Sequence, residues 1–197
     1  MKLVRCFISI AMLIGPSFAY AEAGDINVNF ELGVYAGGDE ITAAATTSGT
    51  QTVDAGAGIA AAIGADYDLT DELSLAVLVG FNEDSITAEN GNIKFTRTTL
   101  DALVKAKVTD LFWIGGGVTY HTGVKLSADG AGSFYVQDDT FKDATGFLID
   151  AKFDVGEPGS FYISVRMTSI EYESETGING KDTYSGNGLG IIWGGEF

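Results

Sequence analysis

Eight stretches of this chain alternate apolar and polar residues, and the connections between them alternate strictly between long and short. Successive side chains of a strand point to opposite faces, so a period of two marks a strand with one apolar face. The first stretch places Ile26, Val28, Phe30, Leu32 and Val34 on one face and Asn27, Asn29, Glu31 and Gly33 on the other. The second covers residues 53–67, with Val53, Ala55, Ala57, Ile59, Ala61 and Ile63 in the apolar phase, and the third covers residues 73–81. Leu100 to Val108 mark the fourth, Phe112 to Val124 the fifth, Phe147 to Val155 the sixth and Phe161 to Met167 the seventh. The eighth carries Leu189, Ile191, Trp193 and Phe197. Residues 68–72, 109–111 and 156–160 are short connections, the last with the turn sequence Glu157-Pro158-Gly159. Residues 37–52, 82–92, 126–143 and 174–183 are long and polar. The expected fold is all-β, an eight-stranded antiparallel up-and-down β-barrel with both termini at the short-turn end.

Alternation alone leaves the solvent open, because water-soluble barrels and sandwiches also alternate. Charge placement bears on it. Glu31, Asp54, Asp66, Arg97, Asp101, Lys105, Lys107, Asp150, Lys152, Arg166 and Glu196 all fall in the phase opposite the apolar residues of their strands. That is expected of a transmembrane barrel, where an Arg or Lys facing lipid at mid-bilayer costs about 2–4 kcal/mol. The polar phase is also rich in glycine, including Gly64, Gly115, Gly117, Gly190 and Gly194, as a narrow lumen requires. Aromatic residues gather at the strand ends. Tyr67, Phe112, Trp113, Phe153, Phe161, Trp193 and Phe197 lie at the short-turn end, and Tyr35, Phe81, Phe95, Tyr120 and Tyr184 at the other. Two such girdles fit the two membrane interfaces.

The N-terminus agrees with export. Lys2 and Arg5 precede an apolar run too short to span a bilayer, and Ala19-Tyr20-Ala21 offers small residues at the cleavage positions. Residues 1–21 are therefore expected to be a signal peptide and residues 22–197 the barrel domain. The single cysteine, Cys6, leaves with the signal, which excludes disulfides and cysteine-based metal sites or nucleophiles. After residue 21, nine basic residues face 27 acidic ones, a net charge of −18, which argues against nucleic-acid partners.

The signal peptide, eight strands, acidic long loops and a last strand ending in Phe197 resemble the small OmpA/OmpX-type outer-membrane barrels. The run from Gly188 to Phe197 is similar to the C-terminal strand that the outer-membrane barrel assembly machinery reads, with Leu189, Ile191, Trp193 and Phe197 as the implied signal. Gly195 departs from the aromatic often found third from the end. The resemblance implies residence in the outer membrane of a Gram-negative bacterium. It implies that machinery, outer-membrane lipid and lipopolysaccharide as partners. A monomer without cofactor or metal is expected.

Three sets of residues are candidates for function. The inward charges could form a salt-bridged plug that fills the lumen, or line a narrow ion path. His121, the only histidine, faces inward near the long-loop end, but no serine or acidic motif of a membrane-embedded enzyme accompanies it. The acidic loops, with Asp138-Asp139 the densest pair, match no calcium-binding repeat and are expected to be solvated. Phe134, Tyr135, Val136 and Phe141 make the third loop more apolar than a solvated tip needs. In the seventh strand the apolar phase switches after Met167 to Ile170 and Tyr172, and a bulge near Thr168 would account for it. The expected function is non-enzymatic, a structural or surface-interaction role through the acidic loops, with a narrow porin-like channel as the alternative and a lipid-modifying enzyme third.

Overall fold

A computed structural model describes residues 24–46, 49–88, 91–134, 136–155, 160–177 and 181–197. The expected signal peptide, the Glu157-Pro158-Gly159 turn, Glu89 and Tyr135 lie outside the described residues. Eight long strands, Ile26–Ala36, Gly58–Thr70, Leu73–Ala88, Gly91–Thr109, Phe112–Gly130, Ala144–Val155, Phe161–Ser169 and Gly188–Glu196, each pair antiparallel with their neighbours in the chain. The first and last strands pair from Asn29↔Glu196 to Ala36↔Leu189, which closes the ring. A transmembrane barrel has no sheet edge, so every backbone group in the wall can find a partner.

Across the middle of the wall the apolar phase faces outward. Ile63 is 62% exposed and Val79 is 52% exposed, with no protein to cover them. Such a continuous uncovered apolar belt fits hydrocarbon and not water. Inside, small residues make room for large rings. Tyr35 stands opposite Gly190, and a Cβ on that glycine would lie 2.5 Å from the Tyr35 ring. Tyr35 therefore faces the lumen and is not a member of the outer girdle. Trp113 also points inward, where its Nε1–H donates to Asp154 at 3.3 Å.

Toward the long-loop end the polarity inverts. The third and fourth strands run on to Ala88 and from Gly91, well past the expected loop boundaries. There Ile86, Ile93 and Phe95 face inward and are buried, whereas the outer face is polar. Once the wall rises out of lipid, water is outside and the apolar residues turn to the interior. Phe95 and Tyr184 are thus core residues and not girdle residues, being 0% and 2% exposed. The same inversion removes the need for a bulge near Thr168. The seventh strand keeps an unbroken register with the sixth as far as Ser169↔Phe147. Ile170 and Tyr172 simply continue the inward phase into an apolar interior.

Two irregularities do change phase. Between Thr96 and Thr98 the fourth strand advances two residues while the fifth spans three, from Lys125 to Thr122. Gly123, at φ +61°, takes the bulge conformation, and Val124 and Leu126 consequently turn inward. Val124, expected on the lipid face, is 1% exposed. The second wall strand starts at Gly58 and not at Val53. Residues Gly49–Asp54 instead pair with Glu40–Thr46 as a separate hairpin above the wall.

Candidate functional site

Inside the barrel the charges form two ion-pair clusters, one above the other. Nearest the short turns, Lys105 Nζ lies 2.8 Å from Asp66 and 3.4 Å from Glu196. Lys152 Nζ lies 2.5 Å from Glu196 and 3.3 Å from Asp154. The Asn29 amide donates to Asp66 at 3.0 Å, and the Lys152 ammonium sits 4.8 Å from the Tyr162 ring centre. Above them Arg166 holds Glu31 by a two-pronged pair at 2.8 and 2.9 Å. Its Nε donates to Asp150 at 3.0 Å, and Asp101 stands 3.7 Å from Nη1. The Tyr162 hydroxyl lies 2.8 Å from Asn29 Oδ1 and 3.0 Å from Glu31. All these charges are buried or nearly so, and buried charges persist only when paired and hydrogen-bonded.

Glu31, Asp66, Asp101, Lys105, Asp150, Lys152, Arg166 and Glu196 are therefore gathered in the lumen. Asp154, inward by phase, joins them. Three of the expected lumen charges stand elsewhere or alone. Asp54 belongs to the hairpin above the wall, where its backbone N–H donates to Asp84 at 2.7 Å. The irregular register from Val53 to Gly58 takes it out of the barrel. Burial and the neighbouring Asp84 carboxylate raise the Asp54 carboxyl above its usual range. Lys107 lies at the short-turn rim, two residues before the fourth strand ends at Thr109, and pairs with Asp110 at 3.2 Å. Arg97 is inward and 3% exposed, but no described carboxylate pairs with it. Its Nη2 donates to the Ala57 carbonyl at 3.0 Å, and its guanidinium lies 5.4 Å from the Phe95 ring centre and 6.0 Å from that of Tyr172.

Above Arg97 the long-loop end is closed by an apolar cluster. Ile41, Ala44, Val53 and Ala55 come from the first long connection, and Ile86, Ile93 and Phe95 from the raised ends of the third and fourth strands. Val124 and Leu126 come from the raised end of the fifth strand, Val136 and Phe141 from the third long connection, and Ile170, Tyr172 and Tyr184 from the fourth. Phe95 packs edge-on against Phe141 and Tyr172, with ring centres 5.4 and 5.5 Å apart. Val136 and Phe141 of the third loop thus serve the cap interior, whereas Phe134 projects into solvent. Polar links fasten the cap at its margin. Lys181 bonds Asp39 at 2.5 Å, and the Ser185 N–H donates to the same carboxylate at 2.7 Å. The bond from Lys181 holds the Asp39 carboxyl below its usual range. Beneath the cap, His121 Nδ1 and the Tyr172 hydroxyl share a hydrogen bond of 2.6 Å.

No protein-family model matches the chain, and no curated protein matches it in sequence. Solved structures do match. Ail, the attachment invasion locus protein of Yersinia pestis, solved in complex with the heparin analogue sucrose octasulfate, aligns with a TM-score of 0.52 at 11% identity. The alignment covers 89% of this chain and 99% of Ail. Neisserial surface protein A aligns with a TM-score of 0.53 at 15% identity over 87% of this chain and 97% of that one. The fold is that of a small outer-membrane β-barrel.

Within this outer-membrane barrel, two features of the site lay beyond the phase pattern. The cap core is assembled from residues far apart in sequence, and only the apolar character of residues 134–136 and 141 hinted at it. Tyr162, whose phase is inward, carries more of the lumen hydrogen bonding than its position among lipid-facing neighbours suggests. The residues of the implied assembly signal line the outer wall of the last strand, with Leu189, Ile191 and Trp193 exposed. Phe197 stacks on Phe30 with ring centres 5.7 Å apart.

Proposed function

We propose that this protein is a closed barrel of the Gram-negative outer membrane whose role is non-enzymatic and resides in its folded extracellular cap. The apolar cluster drawn from raised strand ends and three of the long connections, set over a lumen filled with ion pairs, is the observation that carries this reading. Loops that merely joined strands would not need a shared interior. Ordering them costs about 1–2 kcal/mol of backbone entropy per residue, which shared apolar burial offsets. The result is a platform ordered before any partner arrives, which lowers the entropic cost of binding.

The chemistry of that platform favours a basic partner. Around the cap stand Asp39, Glu83, Asp129, Asp138, Glu173, Glu175 and Asp182, against Lys94, Lys125, Lys142 and Lys181. Three of those lysines are engaged, with Glu83 at 3.6 Å, Glu173 at 2.5 Å and Asp39 at 2.5 Å. A heparin analogue such as the sucrose octasulfate bound to Ail would meet net repulsion here. The channel alternative requires both the cap and the ion pairs to part. The enzyme alternative rests on His121, whose hydrogen-bond partner is a tyrosine hydroxyl and not an acid. Outer-membrane lipid and lipopolysaccharide on the wall, and the assembly machinery on Leu189, Ile191, Trp193 and Phe197, are the further partners of this reading.

Proteoliposomes carrying the barrel test the partner chemistry. Retention on a polylysine-coated surface should be salt-sensitive and should fall when Asp129, Asp138 and Glu175 are replaced by their amides. Retention on heparin instead, or retention indifferent to those replacements, would count against a basic partner.

A further inference from the structure

Between the Arg166 ion pairs and the apolar cap lies a small cavity of about 50 Å³, lined in part by Glu31, Asn82, Arg97, Asp101, His121 and Tyr172. Arg97 reaches it from the wall and is 3% exposed. Only its Nη2 is bonded, to the Ala57 carbonyl; Nε and Nη1 have no partner among the described residues. The contrast with Arg166, which holds Glu31 through two nitrogens and Asp150 through the third, is complete.

The nearby acids are committed elsewhere. Asp101 accepts the Thr119 hydroxyl at 2.5 Å and faces Arg166, and Asp84 accepts the Asp54 N–H. The Phe95 and Tyr172 rings give the Arg97 guanidinium cation–π contact. Such contact is weaker than the penalty of an uncompensated buried ion. A water in the cavity could bond Nε and Nη1 but would leave the charge unbalanced. Asn82, whose Oδ1 also lacks a partner, faces the same space, and turning its amide over would bring a second donor group toward it.

We propose that this cavity is a binding site for one small monovalent anion, of chloride or simple carboxylate size, held by Arg97 Nε and Nη1. The anion would sit against the one inward arginine that no described carboxylate contacts. The cap stands above it and the Arg166 cluster below. The site is independent of what the cap binds.

The test is to refold the protein at constant ionic strength with chloride exchanged for gluconate, which is too large for the cavity. Two readouts follow, the thermal unfolding midpoint and the NMR resonance of the Arg97 Nε–H. Chloride should raise the midpoint saturably and shift that one resonance with the same concentration dependence, and Arg97→Met should remove the chloride effect on the midpoint. An Nε–H resonance indifferent to chloride, or an equal chloride response in Arg97→Met, would overturn the proposal. Should the variant fail to fold, the wild-type resonance decides alone.

Discussion

Tyr162 lies directly across from Gly194 on the adjoining strand, and a Cβ on Gly194 would fall 2.1 Å from the Tyr162 ring carbon Cζ. The ring occupies the space a side chain would take, which lets its hydroxyl reach Asn29 and Glu31. Gly194→Ala should destabilise the barrel by about 1–3 kcal/mol, the usual cost of overpacking. In a Tyr162→Ala background the same replacement should cost much less, as measured by urea unfolding in lipid vesicles. Equal costs in both backgrounds would mean that the glycine serves another purpose.

Arg166 is the cation on which the mid-lumen cluster turns. Arg166→Met leaves Glu31 and Asp150 buried without it and should cost about 3–5 kcal/mol in the same unfolding assay. Adding Glu31→Gln should restore part of that loss, because one of the stranded charges is then gone.

The cap should loosen independently of the wall. Phe95 touches both Phe141 and Tyr172, so Phe95→Ala opens a hole in the apolar cluster and should weaken the cap by about 3–5 kcal/mol. Protease cleavage in the long connections should rise sharply. The wall, held by its own hydrogen bonds, should keep its slow unfolding and its strand content by circular dichroism.

Acid should release the link between the first and fourth long connections. A carboxyl held below its usual range contributes stability above its unfolded pKa and loses it as pH falls through the depressed value. For Asp39 the ordinary value is 3.8 and the folded value is lower, so the link is intact from neutrality down to that region. Hydrogen exchange at the Ser185 amide, corrected for its intrinsic rate, should stay slow to about pH 4 and quicken only below the ordinary value. Asp39→Asn should weaken that protection already at neutral pH and abolish the acid step.

The membrane portion of this fold is written plainly in the sequence, because lipid enforces the alternation at every turn of the strand. Ile63, Val79 and Ile163 are apolar for one reason, and Asp66, Asp150 and Arg166 are inward for its converse. The part above the membrane follows another rule that the sequence does not announce. Ile86, Ile93, Phe95 and Tyr172 occupy the phase that holds charges lower down the same strands, because water has replaced lipid outside. At Ile170 that change of solvent imitates a bulge, whereas the true bulge at Gly123 passes unnoticed among other glycines. Long-range partners were also hidden. Nothing local distinguishes Arg166, with its three acidic partners, from Arg97, which no described carboxylate contacts.

Closure of the lumen is the claim on which the rest depends. Single-channel conductance of the refolded barrel in planar bilayers, with folding verified by its heat-dependent mobility, measures it directly. The cap and the two ion-pair clusters together predict a silent bilayer, with no steps in the wild type. Reproducible steps whose ion selectivity changes in Arg97→Met would contradict the closed barrel and make the lumen charges the lining of a pore.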